Sequence, residues 1–222
     1  MLNANGFQHV RSLDLGVTGK SSKSEDYLKE QLVILETFSQ RQTLTRLWLS
    51  KMPFSSIEPS QREKFQNTVA ALSSTVNDLG LYGCRFPSYV DMILFIRAFP
   101  HCDSLYIRDC VTANEHAAGD MFSGFSKFNL SLNTLELTST SPHRPIIDVS
   151  SLIEDAALDV SQLSALTSDI GSTRQARSVA MATSVSPIQH FQLTSTKPGV
   201  FQGVYDIYAP GRLPYTNFSV SY

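Results

Sequence analysis

Val76-Asn77-Asp78-Leu79-Gly80-Leu81-Tyr82-Gly83-Cys84-Arg85-Phe86 is the stretch on which the fold turns. Leu79-Gly80-Leu81 alternates at period two, which sends the leucines to one face of a strand and the residues between them to the other. The phrase it belongs to, apolar-x-x-apolar-x-apolar, recurs in both directions. Upstream it reads Val10, Leu13, Leu15 and then Leu44, Leu47, Leu49. Downstream it reads Cys102, Leu105, Ile107, then Leu132, Leu135, Leu137, then Ile188, Phe191, Leu193, with a worn copy at 165–170. Start-to-start spacings of 34, 32, 26 and 30 are followed by one of 56, near twice the others, so a unit is expected inside that gap.

The ends of the phrases sharpen the reading. Residues 76–86 run V-x-x-L-x-L-x-x-C-x-F, the leucine-rich-repeat template with its Asn/Cys position filled. Residues 102–110 follow it as far as Cys110, and residues 44–54 place Met52 there. At that position the chain turns inward, where a small side chain can meet backbone groups of the turn. Helical stripes separate the strands: Leu28, Leu32, Leu35 and Phe38 in 23–38; Phe65, Val69 and Leu72 in 61–72; Tyr89, Met92, Ile96 and Phe99 in 88–99, opened by a Pro87-Ser88 cap; and Val149, Leu152, Ile153 and Ala156 in 149–158. Crossovers of this length join parallel strands. An open doubly wound sheet would make the strands apolar on both faces; here Arg, Asp, Trp, Glu and His hold alternate positions. The expected fold is α/β, a short leucine-rich-repeat-like solenoid with parallel strands on the concave face and helices outside. It is expected to occupy 1–196 as a single domain, with a loose Ser/Thr/Ala-rich connection at 172–186 and an irregular C-terminal tail or cap at 197–222.

Composition excludes several classes. The 18 Lys and Arg against 20 Asp and Glu leave no basic excess to grip a phosphate backbone, so nucleic acid is not an expected partner. The best apolar run, Met92 to Ile96, is cut by Arg97, so no membrane span is expected. The opening residues, Met1 to Phe7, have neither a basic nor an apolar region of a signal peptide. Three cysteines in a chain large enough to build a core favour reduced thiols, hence a cytoplasmic or nuclear protein.

Chemistry-bearing patterns are sparse. Gly16-Val17-Thr18-Gly19-Lys20-Ser21 sits between a strand and a helix, where a P-loop belongs, but Asp14 holds the position that needs glycine, and its charge repels phosphate. A degenerate P-loop nucleotide-binding protein is therefore the rival of another class. Cys84, Cys102, Cys110 and the five histidines show no metal-ligand spacing. His101 and Cys102, adjacent on an extended segment, point apart and make no base–nucleophile pair. His9, His116, His143 and His190 read as surface residues, and Glu154, Asp155 and Asp159 as the solvated side of a helix. No enzyme, cofactor or metal site is expected.

If the strands stack in register, their outward residues form ladders. One runs Ser12, Arg46, Asp78, Ser104, Thr134, His190; the next Asp14, Trp48, Gly80, Tyr106, Glu136, Gln192; a third Gly16, Ser50, Tyr82, Arg108, Thr138, Thr194. Arg46, Trp48, Asp78, Tyr82, Tyr106 and Arg108 collect in the middle. Trp, Tyr and Arg dominate binding hot spots because they join large apolar area to directional polar tips. The six are the candidate protein-binding residues. The competing explanation is local packing: Trp48 lying across a neighbouring strand, with Arg46 stacked on it.

The run from Leu79 through Phe86-Pro87-Ser88, a helix, and Phe99-Pro100-His101-Cys102-Asp103-Ser104-Leu105-Tyr106-Ile107 resembles the repeat region of the F-box-like proteins of mushroom-forming fungi. There a strand with L-x-L, a phrase like F-P-S, a helix and F-P-x-L-x-x-L-x-L follow in this order; Cys102 stands where that family tends to have leucine. The likeness spans roughly residues 7–195 and is densest in 76–110. It implies a substrate receptor of a cullin-type ubiquitin ligase, whose F-box docks a Skp1-type adaptor while the repeats hold a target. Only nine residues precede Val10, too few for an F-box, so a Skp1-type adaptor is a partner only if an upstream F-box exists. A stand-alone repeat adaptor or decoy without a ligase role is the alternative in the same class.

Overall fold

The computed structural model describes residues 9–16, 24–114, 130–140, 147–184, 186–195, 197, 199–201 and 216–220. In chain order the elements are β1 (Ser12–Gly16), α1 (Ser24–Ser39), β2 (Arg46–Ser50), a 3-10 turn (Phe54–Ser56), α2 (Pro59–Ser73), β3 (Asp78–Tyr82), β4 (Arg85–Ser88), α3 (Tyr89–Arg97), β5 (Ser104–Arg108) and β6 (Val111–Asn114). They continue as β7 (Leu130–Ser131), β8 (Thr134–Thr138), α4 (Val149–Asp155), β9 (Leu158–Asp159), β10 (Ala165–Asp169), α5 (Thr173–Thr183), β11 (His190–Ser195) and β12 (Thr216–Val220). The fold is α/β, with parallel strand pairing as the long crossovers require. The chain divides into two compact units: residues up to Cys102 with the stretch Cys110–Phe128, and Asp103–Asp109 with the residues from Asn129 onward.

In the first unit β1, β2 and β3 pair in parallel, with Leu13 opposite Leu47 and Leu47 opposite Leu79, and Leu15, Leu49 and Leu81 likewise matched. Leu47, Leu49, Leu79 and Leu81 are all but fully buried. At each strand start two successive amides share one carbonyl of the strand before: Thr45 and Arg46 donate to Arg11 O, and Asn77 and Asp78 to Thr45 O. This shared acceptor locks the register, since a slip of one residue would expose every leucine. Beneath the strands Phe54, Phe65, Phe86, Phe95 and Phe99 form a buried aromatic cluster, with Phe54 and Phe86 centroids 4.7 Å apart. The Ser88 hydroxyl caps α3: it accepts the Asp91 amide at 3.1 Å and donates to the Asp91 carboxylate at 2.7 Å.

The Cys position of the repeat acts as expected of a small side chain in a turn. Lys51, Gly83 and Asp109, each just before that position, hold positive φ of 57, 62 and 55° and turn the chain inward. The Cys84 thiol then donates to Leu49 O at 3.2 Å, and the Cys110 thiol to Leu81 O at 3.4 Å. Met52 takes the same place, fully buried, as a hydrophobe.

In the second unit β5, β8, β10, β11 and β12 pair in parallel in that order. The shared-acceptor device repeats: Asn133 and Thr134 on Asp103 O, Ser164 and Ala165 on Asn133 O, Gln189 and His190 on Ser164 O. Leu135, Leu166 and Phe191 stack inward in register.

Three features of this unit differ from or extend the sequence reading. The worn copy is a full strand, β10, and it fills the long gap between the phrases at Leu132 and Ile188. The stretch expected to be a loose connection is α5, whose apolar stripe of Ala176, Val179, Ala180 and Thr183 is built from side chains too small to register as hydrophobic periodicity. Ser172 caps it by accepting the Gln175 amide, while Gln175 Oε1 accepts the Gly171 amide at 2.8 Å. In the stretch read as an irregular tail or cap, Thr216–Val220 is β12, pairing with β11 from Phe191 opposite Thr216 to Ser195 opposite Val220. The short strands β4 and β6, which pair with each other, and β7 and β9, which do the same, carry no period-two signal long enough to read.

Candidate interaction surface

Four of the six candidate residues lie in the first unit. Register places Arg46 beside Asp78, Trp48 beside Gly80 and Ser50 beside Tyr82, as the ladders require. Asp78 ties two of them down: its Oδ2 accepts Arg46 Nε at 2.8 Å and its Oδ1 accepts the Trp48 indole N–H at 2.9 Å. The Arg46 guanidinium carbon lies 5.6 Å from the centre of the Trp48 ring, within cation–π range. Trp48 and Tyr82 meet diagonally, ring centroids 5.3 Å apart and tilted by 46°. They can do so because the position between them is glycine. A Cβ on Gly80 would stand 2.9 Å from Trp48 Cγ and 3.0 Å from Tyr82 Cε2. Gly80 is thus a positioning residue for the cluster; its one trace in the sequence is a glycine inside a strand, which does not say what it makes room for.

This pose is the one that local packing calls for, with Trp48 across the neighbouring strand and Arg46 over it. The cluster nonetheless keeps an outer surface: Trp48 and Tyr82 are partly exposed, and the Arg46 side chain retains 52% of its accessibility against 14% for Asp78.

Tyr106 and Arg108 belong to the second unit, where their register partners are Glu136 and Thr138. Arg108 Nε donates to Thr138 Oγ1 at 3.2 Å, and its Nη2 lies 3.9 Å from Glu136 Oε1. Asp109, outside the ladders, accepts the Thr140 amide and hydroxyl, both at 2.7 Å, and the Ser139 hydroxyl at 3.2 Å. The Ser139 amide donates to Asp169. Burial pushes the Asp169 carboxyl above its ordinary range; the Ser139 amide and Arg108 oppose the rise, while the Asp109 and Glu136 charges add to it. The gathering of Asp109 and Asp169 at Ser139 was missed in the sequence, because Asp109 follows its strand and lies outside the ladders.

Gly16 ends β1, and the rest of the P-loop-like stretch, 17–21, lies outside the described residues, as do His116 and His143. His101 is exposed and Cys102 buried. His9 and His190 are exposed. Among the described residues no three His, Cys, Asp or Glu side chains are grouped to hold a metal, and no helix is long and apolar enough to cross a membrane. A polar cleft bordered by Glu36, Ser39, Lys64 and Asn67 of α1 and α2 touches none of the six candidates, and a Lys64–Glu36 ion pair of 2.8 Å bridges the two helices beside it. No protein-family model, curated protein or solved structure matches this chain.

Proposed function

We propose that this chain is a protein-binding repeat scaffold: a short leucine-rich-repeat-like solenoid, strands on its concave face and helices outside, that holds a protein target on the strand face. By its resemblance to the fungal F-box-like proteins, it serves as the target-recognition part of a cullin-type ubiquitin ligase. The reading is supported most by one observation. A tryptophan, a tyrosine and an arginine are gathered on the outward side of strands whose inward side is leucine, and the Asp78 hydrogen bonds hold two of them in place. Rigid aromatic area beside a fixed guanidinium binds a partner with little side-chain ordering. The repeated shared-acceptor and thiol–carbonyl devices support the solenoid.

The test is quantitative affinity capture from the native cells. Trp48→Ala and Tyr106→Ala are each expected to reduce recovery of a specific partner by about five-fold or more, the scale of a hot-spot truncation, with far-UV circular dichroism unchanged. Undiminished capture by both variants would overturn the strand-face assignment. Capture by the endogenous gene product decides between the two roles: a Skp1-type adaptor accompanies a ligase receptor and is missing from the captures of a stand-alone adaptor or decoy.

A further inference from the structure

Arg46 is held in place yet under-used. Its Nε donates to Asp78 at 2.8 Å and its guanidinium carbon lies 5.6 Å from the centre of the Trp48 ring, but among the described residues neither terminal nitrogen donates a hydrogen bond. Trp48 has the converse character: its only polar atom is committed to Asp78, so it offers a partner ring carbon alone. Both Asp78 oxygens are likewise occupied, by Arg46 and by Trp48. What remains for a partner is an ordered guanidinium fork beside a shelf formed by the partly exposed rings of Trp48 and Tyr82. A fork fixed in advance loses less entropy when it takes a planar anion.

Charge along the strands says where that anion sits. At the start of the strands the Arg46 side chain keeps 52% of its accessibility, whereas the Asp78 carboxylate that engages its Nε keeps 14%, so the cation is the better exposed of the two. Exposed Asp14 stands two residues further along, in register with Trp48. Asp14 repels carboxylates from its row; at the Arg46 row the Asp78 carboxylate is largely covered and engaged, and the exposed terminal nitrogens of Arg46 attract them.

We infer that the first unit recognises an acidic protein segment, one carboxylate on the terminal nitrogens of Arg46 and a neighbouring apolar side chain on the Trp48–Tyr82 shelf. This rests on the interaction reading proposed above and names its partner's chemistry.

Trp48 is the only tryptophan of the chain, so intrinsic fluorescence reports on the shelf directly. The probes are three pools of short capped peptides, randomised except for a fixed Leu and a fixed neighbour that is Glu, Gln or Lys. The Glu pool is expected to perturb Trp48 emission saturably, with half-saturation about five-fold lower than the Gln pool, the upper range for an exposed ion pair. The Lys pool should be weakest, and added salt should shrink the differences. Arg46→Gln should equalise the Glu and Gln pools. Equal half-saturation in the unmodified protein, or a preference that survives Arg46→Gln, overturns the carboxylate assignment while leaving the surface reading intact. Failure of every pool to perturb Trp48 counts against the surface itself.

Discussion

Gly80→Ala is the substitution that weighs the Trp48 cluster most directly. In the middle of a strand, glycine is normally the weaker choice than alanine by about 0.5–1 kcal/mol, and Gly80 lacks the positive φ that would demand it. Its reason lies on the outward face. The added methyl would sit 2.9 Å from Trp48 Cγ, 3.0 Å from Cδ1 and 3.0 Å from Tyr82 Cε2, well inside contact distance. The indole cannot swing away without losing its 2.9 Å bond to Asp78. Forcing a methyl into packed space costs about 1–3 kcal/mol, and the stiffer unfolded chain offsets roughly 0.4–1 kcal/mol. The net expectation is a loss of about 1 kcal/mol, read as a lower urea midpoint by far-UV circular dichroism, with an altered tryptophan emission. In a Trp48→Ala background both indole contacts are gone and Tyr82 gains room to give way, so Gly80→Ala should become neutral or stabilising there, a coupling of about 1–2 kcal/mol. Equal effects of Gly80→Ala in the two backgrounds would refute the argument that glycine is there to seat the ring.

Ser88→Ala should lower stability by about 1–2 kcal/mol in denaturant unfolding, since it removes the α3 cap and strips the buried Asp91 carboxylate of a donor. Asp169 binds its proton more tightly folded than unfolded, so its ionisation opposes folding. The stability that its bound proton contributes is full below the ordinary aspartate range and lost as pH rises through the elevated folded value. Asp169→Asn, which keeps an acceptor for the Ser139 amide, should therefore gain on the unmodified protein at neutral pH and lose that advantage as pH falls below the ordinary range. Paired urea titrations across pH check it, and an advantage that grows on acidification would contradict the sign.

Legibility followed side-chain size. Strands carrying two large inward leucines could be read, as could helices with stripes of Leu, Ile and Phe, because burial of such residues leaves a strong period. The Ser88 cap was readable from its place before an apolar stripe. α5 was missed because Ala176 and Ala180 bury too little to stand out, although Ser172 and Gln175 spell a capping pair that signals its start. β10 reads weakly because Ser168 takes the inward place that leucine holds in β8, and β12 was missed altogether, inside a proline-containing stretch read as an irregular tail or cap. Of the candidate surface, membership of the outward ladders was legible within each unit. The roles of Gly80 and Asp109 were not.

The sequence by itself determined the strand phrases that carry large apolar residues, the parallel sense of their pairing and the alternation of their two faces, since period-two spacing and long crossovers act on the chain before any tertiary contact is known. Tertiary structure alone decided that Asp78 serves Arg46 and Trp48 together, that Gly80 makes room for the indole, and that Asp109 and Asp169 gather at Ser139 and Thr140. These depend on which side chains meet across strands about thirty residues apart, and on distances of a few tenths of an ångström that no one-dimensional pattern encodes.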